Sequence, residues 1–372
     1  MKRGLSLLSV VALLAMPAAS AQAASSGTER AGVPNRYKVT RLVADRPGRA
    51  AQVDPNLVNA WGLVAGPSTP WWVADAETDV STLYDGTGAV LPLVVKVAGG
   101  PTGAVFNGGA SFIVSHHGAT GPSLFMFATE RGTIRGWDPN VPPPAPSTRA
   151  FRVVDGRDRD AIYKGLAIAS TAAGDRLYAT DFHNGRVDVF DGEFATVDVP
   201  GAFEDPDIPN GFAPFGIQSI GEDIFVTYAM QDVDAEDDVA GPGLGFVDRY
   251  NEEGVLLERV ASEGELNAPW GLALAPSDFG RFSGDLLIGN FGDGRIHAYE
   301  PEADTSRMAG TSRPFKLEGT LRRRDGRILS IDGLWALQFG NGEAAGPTNS
   351  LFFTAGPAGE EHGLFGKIEA IG

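Results

Sequence analysis

Oxygen donors recur at matched places along this chain. Asp75, Asp181 and Asn290 each end a short apolar run and precede a polar turn, in WWVAD, LYATD and LLIGN. Glu130 stands one or two places further on in another copy, LFMFATE. Brought to one point, such groups would suit a hard divalent cation, calcium first, which takes oxygen ligands. A local reading competes and weighs more: each Asp or Asn caps its own turn by accepting from nearby amides. A second set lies at other strand starts, where Asn267 and Asp332 stand three residues before a Trp and Asn59 stands two before. A third is the insertion YAMQDVDAEDDVAGPGLG, which gathers Asp232, Asp234, Glu236, Asp237 and Asp238. Carboxylates this dense repel unless they are solvated or share a cation, so calcium is one reading and a solvated loop the other. The Asp-x-Asp-x-Asp-Gly register of an EF-hand is absent. The insertion is long enough to fold over one face and shape a pocket. Among five histidines, His183 is the candidate general acid or base, placed at the turn after Asp181. There is no Gly-x-Ser-x-Gly elbow, GxGxxG or P-loop, so neither nucleotide nor haem is expected as a cofactor.

The elements that carry these residues repeat. LYATDFHNGRVDVFD, residues 177–191, is answered by LLIGNFGDGRIHAYE, residues 286–300, and the first such hairpin is WWVADAETDVSTLYDG. A shorter phrase precedes each hairpin: NAWGLVAGP, YKGLAIAS, APFGIQSI, APWGLALAP and DGLWALQFG, with a weaker copy in GAVFNGGASFIV. Taking Trp61, Phe106, Lys164, Phe215, Trp270 and Trp335 as equivalents, the period is about 45 to 65 residues, the mark of propeller blades lengthened by loop insertions. The count is six, with seven left open by two degenerate copies. In four of the phrases, NAWGL, YKGLA, APFGI and APWGL, a Gly follows the large residue, which lets inner strands approach closely around an axis. Trp61, Trp270 and Trp335 therefore read as channel packing before they read as a platform for sugar. The isolated strand RYKVTRLVA, residues 36–44, is predicted to complete the last blade beside residues 364–370 and so close the ring. The fold class is all-β, a six-bladed propeller.

The whole chain agrees with this. It has 372 residues, 49 Gly, 25 Pro and no Cys, a composition of many short elements joined by turns. Without Cys there are no disulfides, thiolate metal sites or thiol nucleophiles. Residues 1–23 have the basic start, apolar stretch and Ala-Gln-Ala end of a cleaved secretory signal. Residues 24–36 are expected to be disordered and 37–372 to form one propeller domain. The expectation is export to periplasm or medium, with no transmembrane segment after cleavage. A net charge of −17 argues against a nucleic-acid partner. The one basic exception, RPFKLEGTLRRRDGRIL, reads as a solvated hairpin around Asp-Gly.

Several motifs, among them DPNLVNAWGL, FATERGTIRGWDP, DFHNGRVDVFD, NAPWGLALAP and IDGLWALQFGNG, resemble a bacterial family of exported β-propeller proteins. Some of its members end in PEP-CTERM sorting tails, and the family is related to the NHL and SMP-30-like propellers. The resemblance spans about residues 37–365 and supplies no activity. The ending GLFGKIEAIG lacks the Pro-Glu-Pro tail, so anchoring by that route is not expected. Likeness to SMP-30-type lactonases implies a divalent metal held by Asp332, Asn267 and Asn59 or Glu130, which would polarise a lactone carbonyl and activate water. Two functions follow. The first is a non-catalytic module binding a small ligand, a glycan or an envelope or extracellular protein at one mouth of the channel. The second is a metal-dependent lactonase.

Overall fold

In a computed structural model, residues 32–301 and 315–372 are described; the expected signal, 1–23, and most of the segment to residue 36 lie outside them. Six small antiparallel sheets follow one another along the chain. Their inner strands are Ala60–Val64, Pro101–Phe106, Tyr163–Thr171, Phe212–Ile220, Pro269–Leu274 and Leu334–Phe339. Each inner strand packs against the next, and the sixth returns to the first, so the ring is closed. Four blades have four strands, the sixth has five, counting the closing strand Tyr37–Ala44 and the short Gln52–Val53 paired with it, and the third has three, Tyr163–Thr171, Gly174–Asp181 and Arg186–Asp191. A small hairpin, Ile113–His116 with Ala119–Pro122, is inserted in blade 2.

The second strand of each blade is buried on both faces, which is why WWVAD, FMFAT and LLIGN are continuously apolar up to their last residue. At the axis, glycine is required by sterics. A Cβ on Gly62 would lie 2.2 Å from the Thr102 carbonyl, one on Gly216 2.2 Å from that of Trp270, and one on Gly271 2.4 Å from that of Trp335. Side-chain hydroxyls then link neighbouring blades: Thr102 Oγ1 donates to the Tyr163 carbonyl and Thr180 Oγ1 to that of Phe215.

This register corrects one sequence equivalence. In blade 2 the residue before the axial glycine, Gly103, is Thr102, and Phe106 ends the strand. The weak copy was placed four residues late because its large residue is absent.

Closure follows the sequence reading. Tyr37–Ala44 pairs antiparallel with Leu364–Ala370, from Tyr37 opposite Ala370 to Ala44 opposite Leu364, with a bulge near Leu42. Tyr37 anchors it from inside, stacked 6.2 Å from Phe282 with its hydroxyl donating to the Phe279 carbonyl. Just before it, Asn35 bonds to Thr320 and Arg322, and the Ile371 amide donates to the Arg36 carbonyl.

The axial contacts make a direct expectation. Gly216→Ala forces its methyl group against the Trp270 carbonyl and should cost about 1–3 kcal/mol, the usual cost of overpacking. Urea unfolding of the variant checks this, and an unchanged midpoint would contradict the packing described.

Candidate functional site

One end of the axis is filled by aromatic side chains from five blades. Trp61 stacks on Trp335 with ring centroids 3.8 Å apart, and Phe291 stacks on the other side of Trp335 at 4.0 Å. Trp270 and Phe215 meet Trp335 edge-on, and Phe182 packs on Phe215. Beyond this plug the channel narrows to a cavity of about 20 Å³, lined by residues such as Leu63, Ala104, Leu166, Ile217, Leu272 and Leu337. That is room for about one water molecule. The channel is therefore no passage from the other face to the aromatic end.

At that end lies a buried charge. Lys164 occupies in blade 3 the place that Trp61, Phe215, Trp270 and Trp335 take in theirs, and it is 2% exposed. Its Nζ donates to Glu130 Oε1 at 2.6 Å and to Asp237 Oδ1 at 3.0 Å. It also lies 5.2 Å from the centroid of the Trp61 ring and 6.0 Å from that of Phe182, within cation–π range. Burial opposes the charge, but the carboxylates of Glu130 and Asp237 outweigh it and hold the ammonium above the usual lysine range. The Lys164 carbonyl accepts from Trp270 Nε1 at 3.2 Å.

The acidic insertion folds over this mouth. Asp232 caps its own turn by accepting from the Glu236 amide at 3.0 Å, and the Ala235 carbonyl sits 3.2 Å from His183 Nδ1. Gln231 Nε2 donates to the Phe182 carbonyl. Asp237, itself largely exposed, and the more buried Asp238 face Lys164, whereas Asp234 and Glu236 are exposed without a bond to it. Asp238 Oδ2 is buried with no hydrogen-bond partner. Burial pushes the Asp238 carboxyl up to about 7; Lys164 opposes the shift, while Glu360 and Asp237 add to it. Glu360 is itself raised by burial, with its bond from Asn59 opposing and Glu130 adding.

The predicted residues divide among separate tasks. Asp75 accepts from Thr82 at 2.8 Å, and Asp181 accepts from Asn184 Nδ2 at 2.8 Å. Asn290 donates to the Glu265 carbonyl and to Asp293. All three sit at the same strand end, as the repeat implies, but each serves its own blade and they do not converge. Burial raises the carboxyl groups of Asp75 and Asp181. Asn59 bridges the plug to the mouth: its Oδ1 accepts from Trp335 Nε1 at 2.9 Å and its Nδ2 donates to Glu360 Oε2 at 2.6 Å. Asn267 pins the acidic loop by accepting from the Gly241 amide at 2.7 Å. Asp332 is exposed and accepts from the Ala358 amide. The lactonase-type set is thus held at separate points, with only Asn59 and Glu130 at the mouth. Among the described residues no three His, Asp or Glu side chains form a group fit to hold a metal. As placed, these described donors do not gather around one divalent ion.

Two residues at the mouth went unread in the sequence, Lys164 and Glu360. Lys164 had a signal, a cation where the repeat otherwise carries an aromatic residue or Thr102. Glu360 lies in a loop with no counterpart in the other copies, so nothing marked it.

No family model matches the chain. Among curated proteins it is similar to the uncharacterized protein R648 of Acanthamoeba polyphaga mimivirus, 31% identical over 345 residues, covering 89% of this chain and 80% of that protein. It is also similar to that virus's uncharacterized protein L690, 32% identical over 280 residues and 71% of each. Solved structures with a similar course include a putative gluconolactonase (14% identity, TM-score 0.38, covering 91% of this chain and 93% of that one). Another is virginiamycin B lyase from Staphylococcus aureus (11%, TM-score 0.43, 90% and 100%). A third is the PQQ-bound aldose sugar dehydrogenase from Streptomyces coelicolor (15%, TM-score 0.46, 91% and 100%). At these identities the likeness concerns fold alone.

The Asp238 carboxyl generates a signed pH expectation. Its folded value lies above its unfolded value of about 3.9, so the folded state holds the proton more tightly. Stability therefore falls as pH rises from the unfolded value through about 7. Asp238→Asn removes that ionisation and should raise the thermal midpoint more at pH 8 than at pH 5. Equal gains at both pH values, read by thermal melts, would contradict the placement of Asp238.

Proposed function

We propose that this chain, which belongs to the family of the mimivirus proteins R648 and L690, is a non-catalytic propeller that binds a small hydroxyl-rich ligand, a sugar or short glycan, at the Lys164 mouth. The observation that carries the reading is the buried, partnerless Oδ2 of Asp238 beside the Lys164 ion pairs. A buried acceptor without a donor costs about 1–3 kcal/mol, and a ligand hydroxyl would recover much of it. Glu130 and Glu360, each only partly covered, supply further acceptors on the same rim. The tryptophan plug supports a binding role too, because it closes the axis beneath the mouth with packed aromatic rings.

Ligand chemistry at this rim follows from its donors and acceptors. Hydroxyl groups both give and take hydrogen bonds, so one sugar ring can bond Asp238 and Glu360 while Lys164 stays paired with Glu130. His183 contributes through position, holding the Ala235 carbonyl and so the base of the acidic loop. A metal-dependent lactonase would need its oxygen ligands at one point, and Asp332, Asn267 and Asn59 are engaged elsewhere.

Calorimetric titration of the purified chain with a panel of mono- and oligosaccharides tests the proposal. At least one should bind, and Asp238→Ala should weaken it about tenfold or more, the worth of one good buried hydrogen bond. Binding that survives Asp238→Ala unchanged, or no binding across the panel, would overturn it.

A further inference from the structure

A second recess lies away from the axis, between blades 5 and 6, and its charge is opposite to that of the chain. It has a volume of about 610 Å³ and is walled by the closing strand with its following turn, by the hairpin after blade 5, and by residues 357–364. Six basic side chains line it: Lys38, Arg41, Arg46, Arg49, Arg323 and Arg324. Only two acids do, and both are occupied. Asp45 accepts from His362 Nδ1 at 2.7 Å and lies 3.8 Å from Arg46. Asp332 accepts from the Ala358 amide.

Four cations remain uncompensated. Among the described residues the side chains of Lys38, Arg41, Arg49 and Arg324 make no hydrogen bond or ion pair, whereas most of the other arginines do. In a chain of net charge −17, acids to pair them were plentiful. The walls are nevertheless ordered by their backbones. The Tyr37 amide donates to the Arg322 carbonyl, the Arg322 amide donates to Asn35, and Ser330 Oγ donates to the Asp293 carbonyl. The hairpin itself turns on Asp325-Gly326 as its sequence implies, but Arg323 and Arg324 face the recess. Between the charges lie apolar groups, Val39, Ala44, Ile331, Phe353 and Leu364.

We infer that this cleft is a binding site for a small organic oxyanion, a carboxylate, phosphate or sulfate carried on an apolar body, distinct from the mouth on the axis. Guanidinium groups pair with such anions through two parallel hydrogen bonds, and the volume is that of a small-ligand site. A long polyanion is disfavoured because the rest of the acidic surface repels it. The site does not depend on the reading of the mouth.

Calorimetry with 1-naphthoate, 1-naphthyl phosphate and 1-naphthyl sulfate tests the inference on the whole chain, with inorganic phosphate and sulfate alongside. At least one naphthyl anion should bind, more tightly than the matching inorganic ion, and the preferred head group names the oxyanion. Arg41→Ala/Arg324→Ala, two exposed positions, should weaken binding about tenfold or more, while thermal melts show the fold intact. Asp238→Ala at the mouth should leave it unchanged. No binding by any probe, binding indifferent to the double variant, or binding lost with Asp238→Ala would each overturn the inference.

Discussion

An ammonium group taken out of water is tolerated only where anions and hydrogen-bond acceptors replace the water it gave up. Lys164 imposes that demand on the mouth of this propeller. Glu130 comes from blade 2, Lys164 from blade 3 and Asp237 from the long loop of blade 4, so one buried charge ties three blades together. The Trp61 and Phe182 rings receive the same charge on their faces. The acidic loop is held there by this ion pair together with Asn267, His183 and Gln231. Lys164 supplies that loop with one positive charge from within, through Asp237.

Not every carboxylate at the mouth is satisfied by that one charge. Glu130 and Asp237 take the two direct bonds, which leaves nearby Glu360, held by Asn59, and Asp238, whose Oδ2 has no donor, both raised by burial. The proposed hydroxyl-bearing ligand would use this residual acceptor strength above the buried aromatic plug. The basic cleft between blades 5 and 6 is its counterpart in sign, with donors in excess and acids already engaged. The two proposed sites thus differ in charge, although one chain builds both.

Much of the fold was legible because its determinants are local. Hairpin copies, continuous apolar second strands and axial glycines all sit at fixed offsets, and the lone strand at residues 36–44 needed a partner edge. Blade 2 was misregistered since Thr102 carries none of the bulk that marked the other copies. The site was less legible for a geometric reason. A repeat tells which residues occupy equivalent places in different blades, but equivalence around an axis does not mean contact. Asp75, Asp181 and Asn290 are equivalent and separate, each tied to its own turn. Lys164, Glu130 and Asp237 are not equivalent and meet. Loop length decides that meeting, and no spacing in the sequence encodes it. Lys164 broke the repeat, and that break was the one sign available.

Urea unfolding of Lys164→Met, compared with wild type and with Lys164→Met/Glu130→Gln, tests the central claim most directly. Removing the buried cation takes the donor from Glu130 and Asp237, both partly solvated, and the single variant should lose about 1.5–3 kcal/mol. Neutralising Glu130 as well should restore a large part of that loss. A single variant within about 1 kcal/mol of wild type, the range of an exposed ion pair, or a double variant no better than the single, would contradict the account.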